Sequence, residues 1–252
     1  MSIQRPLLIN NEIYHIIIRG VGDISIFKNE QDYYRAIFSL FEFNNTDPVQ
    51  IFKRRKEIKS VKKMFKDEFV QVGQGQSLSD FILPLSEFSA TFLPDKRDLL
   101  VNIFAFCFMP NHIHLLIQQI KDVGITNFMR KLGTGYASYF NKKYDRKGHL
   151  FQSRFKAVLV ENNEQLKTVF TYINTNPISL IEPGWKDFGI KDSKKTNKFL
   201  EKYKWSSYLD YIGKKNFPSV TERDFMLKVM DGEQGCKDYV KNWIKYKKEI
   251  RN

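Results

Sequence analysis

The run LLVNIFAFCFMPNHIHLLIQQ, residues 99–119, constrains the fold more than any other stretch of the chain. Two apolar segments joined by so short a Pro-Asn punctuation read as a β-hairpin whose strands lie in a core. Its second strand carries His112 and His114, two of the four histidines in the sequence. Side chains alternate across a strand, so these two point to the same face with Cα atoms roughly 6.5 to 7 Å apart. Two imidazoles so placed can converge on one ion, or they can be a hydrogen-bonded core pair. The spacing by itself leaves the two readings even.

Around the hairpin, IYHIIIRG at residues 13–20 is β-branched and ends at glycine, as a buried strand does. NEQDYYRAIFSLFEF follows with helical spacing behind an Asn29 cap. Residues 44–98 change character, with a basic helical stretch and a polar, glycine-bearing loop, and are read as a helical insertion whose Lys53 to Lys63 run faces solvent. After the hairpin come a helix from Thr126 to Tyr144, weakened by Gly133 and Gly135, and a short strand, FKAVLVE. Asn162 or Asn163 then caps a helix whose Leu166, Val169, Phe170 and Ile173 form an apolar stripe, and Pro177 ends it. Residues 1–212 are expected to form one domain, and residues 213–252 a helical C-terminal extension with a Lys-rich end.

Composition narrows the setting. At 252 residues and 42% hydrophobic, the chain can bury one substantial core. Its formal charge of +13 suits a polyanionic partner, nucleic acid ahead of an anionic membrane surface, although a basic surface also serves solubility. Cys107 and Cys236 lie far apart without a CxxC spacing, which suggests neither a disulfide framework nor a structural zinc. The start of the chain has no secretion-signal pattern and no run reaches membrane-spanning length, so a cytoplasmic location and no membrane partner are expected.

The capped helix offers a second pair of polar groups. Tyr172 and Asn176 are four residues apart and differ by about 40° around the axis, so they share a face at the edge of the apolar stripe. A helix packed on the sheet can deliver a phenol and an amide oxygen to the histidines; the plain alternative is one tyrosine of twelve packing at the core margin.

MPNHIHLL, KLGTGYASYFNKKYDRKGHLFQSRFKAVLVENNEQLKTVFTYINTNPISL and KWSSYLDYIG resemble, in order, the REP-associated tyrosine transposases, members of the single-tyrosine HUH transposases. The resemblance is loose over residues 13–43 and close over 99–212. It implies an α+β fold: an antiparallel sheet with packed helices, ferredoxin-like or RRM-like. It also implies His112, His114 and Asn176 as ligands of a divalent metal, Tyr172 as the nucleophile, and single-stranded or hairpin DNA from repetitive palindromic elements as substrate. A monomer is expected ahead of a dimer. Where relatives carry an Asn- and Arg-rich turn after the first strand, this chain has RGVGDISIF.

The chemistry suits those residue types. A phenol is a weak nucleophile at neutral pH, and a metal on a phosphoryl oxygen withdraws charge and fixes the phosphate for in-line attack. The implied product is a 5′-phosphotyrosine with a free 3′-hydroxyl, which a second strand can reverse without ATP. Two imidazoles and an amide favour Mn over Mg by ligand preference, while the resemblance implies that Mg also serves. Residues 121–160 hold nine Lys or Arg against two Asp, an excess of seven, interleaved with aromatics. That is the arrangement of a surface for single strands, although some of those rings must be core. Lys142, Lys143, Arg146, Lys147, Gln152 and Arg154 are the candidate DNA contacts. His149 stands as a further candidate near DNA, His15 is expected to pack or hydrogen-bond, and Trp205 to anchor packing. The competing functions are a silent DNA- or RNA-binding regulator on the same fold, and a metal hydrolase in which water attacks.

Overall fold

β1 (Ile13–Arg19), β2 (Val101–Met109), β3 (His112–Gln119) and β4 (Lys156–Val160) form one sheet in the order β2-β3-β1-β4, with every neighbouring pair antiparallel. This computed structural model describes residues 6–49, 53, 54, 56, 57, 60, 97–152 and 154–250. Helix α1 (Glu30–Phe43) links β1 to β2, and α2 (Gly124–Lys143) links β3 to β4. The βαββαβ order with β1 and β3 central is the ferredoxin-like arrangement expected from the sequence. Most of the 44–98 insertion lies outside the described residues; within it Lys53, Arg54, Lys56, Glu57 and Ser60 are helical, and Arg54 pairs with Glu42 at 3.1 Å.

Strand alternation separates two cores. Tyr14, Ile16 and Ile18 of β1, Ile113, Leu115 and Ile117 of β3, and Phe106 and Phe108 of β2 face α1 and α2, meeting Ala36, Ile37, Leu40, Phe128, Leu132 and Tyr136. The opposite face carries Ala105, Cys107 and Met109 of β2 and Leu116 of β3. It is covered by α3 (Asn163–Thr175) through Leu166, Phe170 and Ile173. His112 and His114 belong to that second face, which the β2–β3 register confirms by pairing Met109 with His112 and Cys107 with His114.

The helix starts follow local chemistry. Asn29 Oδ1 accepts from Asp32 N, and Asp32 Oδ2 accepts from Asn29 N and, at 2.8 Å, from Lys28 N, a reciprocal cap. Asn162 Oδ1 accepts from Gln165 N at 2.9 Å, which assigns the α3 cap to Asn162 rather than Asn163. At the other end the chain departs from expectation. Asn176, although it precedes Pro177, keeps helical angles (φ −51°, ψ −37°), and a 3₁₀ turn runs on over Asn176–Leu180. The reason is a tightened ending: Asn176 N turns to Ile173 O, and Asn176 Nδ2 donates to Tyr172 O at 2.8 Å in place of its backbone amide.

Beyond α3 the chain forms α4 (Trp185–Phe188), α5 (Ser193–Leu200), α6 (Tyr208–Tyr211), α7 (Arg223–Val229) and α8 (Gly232–Glu249). Residues 205–207 line the free edge of β2: Phe108 N donates to Trp205 O at 2.9 Å, and Ser207 N to Phe106 O at 2.9 Å. Trp205 stacks on Tyr33 at 4.5 Å and is 8% exposed, the packing anchor expected of it. Helix α8 packs Val240 and Ile244 against Ile178, Trp185 and Ile190. Among the described residues no helix is long and apolar enough to cross a membrane.

Candidate functional site

The site sits where α3 crosses the second face of the sheet. The imidazole of His112 lies 4.8 Å from that of His114, centre to centre and nearly perpendicular. The Tyr172 ring stands edge-on to His114 at 5.7 Å and to His15 at 5.8 Å. His114 is buried, while His112 and Tyr172 are half-buried. The plain reading of Tyr172 as core margin accounts for its packing; it does not account for a ring set against two imidazoles.

Each histidine is steered through one nitrogen. His112 Nδ1 lies 2.6 Å from Asn111 Oδ1, and His114 Nδ1 lies 2.9 Å from His15 Nε2. With hydrogen on both Nδ1 atoms, both Nε2 lone pairs are left without a partner among the described residues, the tautomer a metal-binding imidazole needs. Burial, with the Lys186 cation behind it, pushes His15 down to about 4. Burial first, then Arg19 and Lys186, pushes His112 down to about 4. His114 falls well below the ordinary range through burial and through its neighbours His15 and His112. All three rings are neutral at physiological pH, which keeps the Nε2 lone pairs of His112 and His114 available.

Asn176 is almost wholly buried, at 1% exposed. Because its Nδ2 caps the Tyr172 carbonyl, its Oδ1 faces the other way and accepts from Lys186 Nζ at 3.0 Å; the same ammonium donates to Tyr172 Oη at 2.9 Å. Among the described residues no group of three or more His, Cys, Asp or Glu could hold a metal ion. Two imidazoles and the Asn176 amide oxygen are donor types that suit a divalent ion. Both rings are neutral and oriented, and an amide oxygen already accommodates positive charge.

The six candidate DNA contacts divide. Lys143 is committed to its own chain: Nζ donates to Asp32 Oδ1 at 2.7 Å, Asn29 Oδ1 at 3.1 Å and Tyr139 Oη at 3.1 Å. Arg146 donates to Asn141 Oδ1 and Gly148 O, each at 3.3 Å, and shapes the loop after α2. Lys142, Lys147, Gln152 and Arg154 are exposed, as is His149. Gln152 N donates to Arg19 O at 2.9 Å, and Arg19 pairs across the sheet with His112, so the start of β4 stands at the same end as the histidines. Lys156, exposed, pairs with Ile17, which pairs with His114, so all three share one row on the site's face.

His15 hydrogen-bonds, as expected of it, though its partner could not be read from the sequence, and Lys186 escaped sequence reasoning altogether. His15 holds His114, a diagonal contact that depends on the β1–β3 register of His15 opposite Leu116. Lys186 comes from a four-residue helix whose position is set by packing far along the chain; no sequence signal marks it. The RGVGDISIF turn is occupied internally. Arg19 pairs with Asp23 at 3.0 Å, Gly20 N bonds Asn111 O, and Val21 N bonds Leu150 O.

Among known proteins, the family described as "Transposase IS200 like" matches residues 85–176, the stretch that holds the hairpin, α2, β4, α3 and all four site residues. One solved structure, "Structure of the REP associates tyrosine transposase bound to a REP hairpin", aligns with a TM-score of 0.45 at 14% identity, covering 89% of this chain and 93% of that chain. No curated protein matches. The resemblance read from the motifs is borne out to this extent: residues 85–176 are similar to the IS200-like transposases.

Proposed function

We propose that the chain is a metal-dependent single-stranded DNA endonuclease and transposase, which nicks and rejoins hairpin or palindromic repeat DNA through a 5′-phosphotyrosine intermediate. One observation carries the reading: the Tyr172 ring stands 5.7 Å from His114, and Lys186 Nζ joins its hydroxyl, at 2.9 Å, to the amide oxygen of Asn176 one turn further on, at 3.0 Å. All four groups come from one chain, which fits a monomer.

In the step so built, Tyr172 Oη attacks the scissile phosphorus opposite the 3′-oxygen. The new O–P bond forms as the P–O3′ bond breaks, and the proton lost by the phenol ends on the departing 3′-hydroxyl. Held by His112, His114 and Asn176, a Mg or Mn ion would withdraw charge from the phosphoryl oxygens and fix the phosphate in line. The chain's own part is to fix the phenol against His15 and His114, hold both imidazoles neutral, and present an amide oxygen locked by its capping bond. Rejoining is the same step run backwards with a different 3′-hydroxyl. Lys142, Lys147, Gln152 and Arg154, with Lys156 added, supply the positive approach for the strand.

The test is a labelled hairpin oligonucleotide incubated with the protein and Mn. The expected result is a denaturant-resistant protein–DNA adduct that disappears in Tyr172→Phe. A gel shift without adduct would instead mean a silent binding protein, and cleavage surviving Tyr172→Phe would mean attack by water.

A further inference from the structure

Lys186 brings to the site a charge that the four family positions do not account for. Its helix is rooted by Trp185, 1% exposed, among Ile178, Ile190, Val240 and Ile244. Helix α8 grips the same segment through its backbone: Ile190 N donates to Lys247 O at 3.0 Å, and Lys247 Nζ to Lys186 O at 3.3 Å. From this rigid base the Lys186 side chain reaches out, exposed, over the Tyr172 ring, with Nζ 4.6 Å from the ring centre. Its two oxygen partners there are the proposed nucleophile and the proposed third ligand.

We propose that Lys186 is a resident cation of the nucleophile site: a positioning residue that bridges Tyr172 Oη and Asn176 Oδ1, and yields the amide oxygen when a divalent ion takes it. The inference rests on the metal reading given above. Its physical basis is competition. Two cations drawn to one amide oxygen repel each other, so the ammonium holds phenol and amide in register before the ion arrives and weakens the ion's binding by its charge. On this assignment the C-terminal helix has a stated task, since α8 holds the segment that carries the lysine.

Mn binding to the full chain, read from the loss of free-ion EPR signal without DNA, decides the matter. In Lys186→Met, affinity should rise about tenfold, the scale of removing one unit charge a few ångströms from a divalent ion near solvent. Lys186→Arg, which keeps the charge, should stay within about twofold of the parent. Circular dichroism melting of both variants checks that the fold is intact, which the exposure of Lys186 favours. Unchanged or weaker binding in Lys186→Met overturns the assignment, as does equal tightening in Lys186→Arg, which would trace the effect to packing rather than charge. Absence of Mn binding in the parent, or binding that survives His114→Ala, overturns the metal reading and this inference together.

Discussion

His15 shows how a residue outside the motif can govern one inside it. Its Nε2 is the partner of His114 Nδ1 at 2.9 Å, and partners of that kind fix ring orientation and tautomer. Truncating it in His15→Ala frees the buried ring, and Mn affinity should fall by about 10- to 100-fold, the usual cost of losing such a partner. Titration with Mn followed by EPR measures it; unchanged affinity would mean that the strand alone aims His114. The contrast with the motif residues explains what was legible. His112 and His114 share a face because a strand alternates, and Tyr172 and Asn176 because a helix repeats; both periods are local and can be read from spacing. His15 and Lys186 join the site through strand register and the packing of α4 under α8, which no local period encodes. Lys143, a candidate DNA contact from the basic run, likewise has a partner that no local period encodes: a buried carboxylate 111 positions earlier accepts from it.

That carboxylate ties two elements together. Asp32 is fully buried at the start of α1 and receives Lys143 and Tyr139 on Oδ1 and Tyr144 on Oδ2, all from α2 or its end. Burial pushes its acid up, but the bonds from Lys143, the Lys28 amide, Tyr144 and Tyr139 outweigh burial and hold it below the usual carboxylate range. A depressed folded value means that the contribution to stability is present at neutral pH and is lost as pH falls from the unfolded value near 4 through the folded one. Asp32→Asn should therefore cost about 2 kcal/mol at pH 7, less than a fully buried pair because Lys143 stays partly exposed, and should flatten the acid limb of the urea stability profile. The α1–α2 contact also separates two glycines that weakened the sequence reading of α2 equally. A Cβ on Gly135 would meet the Phe43 ring at 2.4 Å, whereas one on Gly133 meets its first neighbour, Ile18 Cδ1, at 3.8 Å. Gly133→Ala should stabilise by about 0.5 to 1 kcal/mol through helix propensity. Gly135→Ala should lose about 1 to 2 kcal/mol, because the buried ring must shift. Equal melting shifts for the two would refute the close approach.

Across the whole molecule, the sheet gives its two faces different work. One is sealed by α1 and α2 around the main core; the other holds the histidines beneath α3, with Lys156 in the same row and Gln152 tied to the strand end beside His112. The net charge of +13 is thus partly structural and partly free to meet a backbone: Lys143 neutralises a buried acid, while Lys142, Lys147 and Lys156 are exposed. If these three, Lys186 and Arg154 engage about five phosphates, the log–log salt slope for single-stranded DNA should be about −3.5. Raising salt from about 50 to 200 mM should then weaken binding about a hundredfold. Lys156→Gln removes one such contact and should make the slope shallower by about 0.7, whereas Lys143→Gln should leave the slope alone and lower stability instead. Fluorescence anisotropy of a labelled single strand at four salt concentrations, with urea melts of both variants, separates the two roles. A flat salt response in the parent would remove the basic approach from the proposed mechanism and leave strand capture to base stacking, while a slope change in Lys143→Gln would show that the Asp32 pair opens when DNA binds.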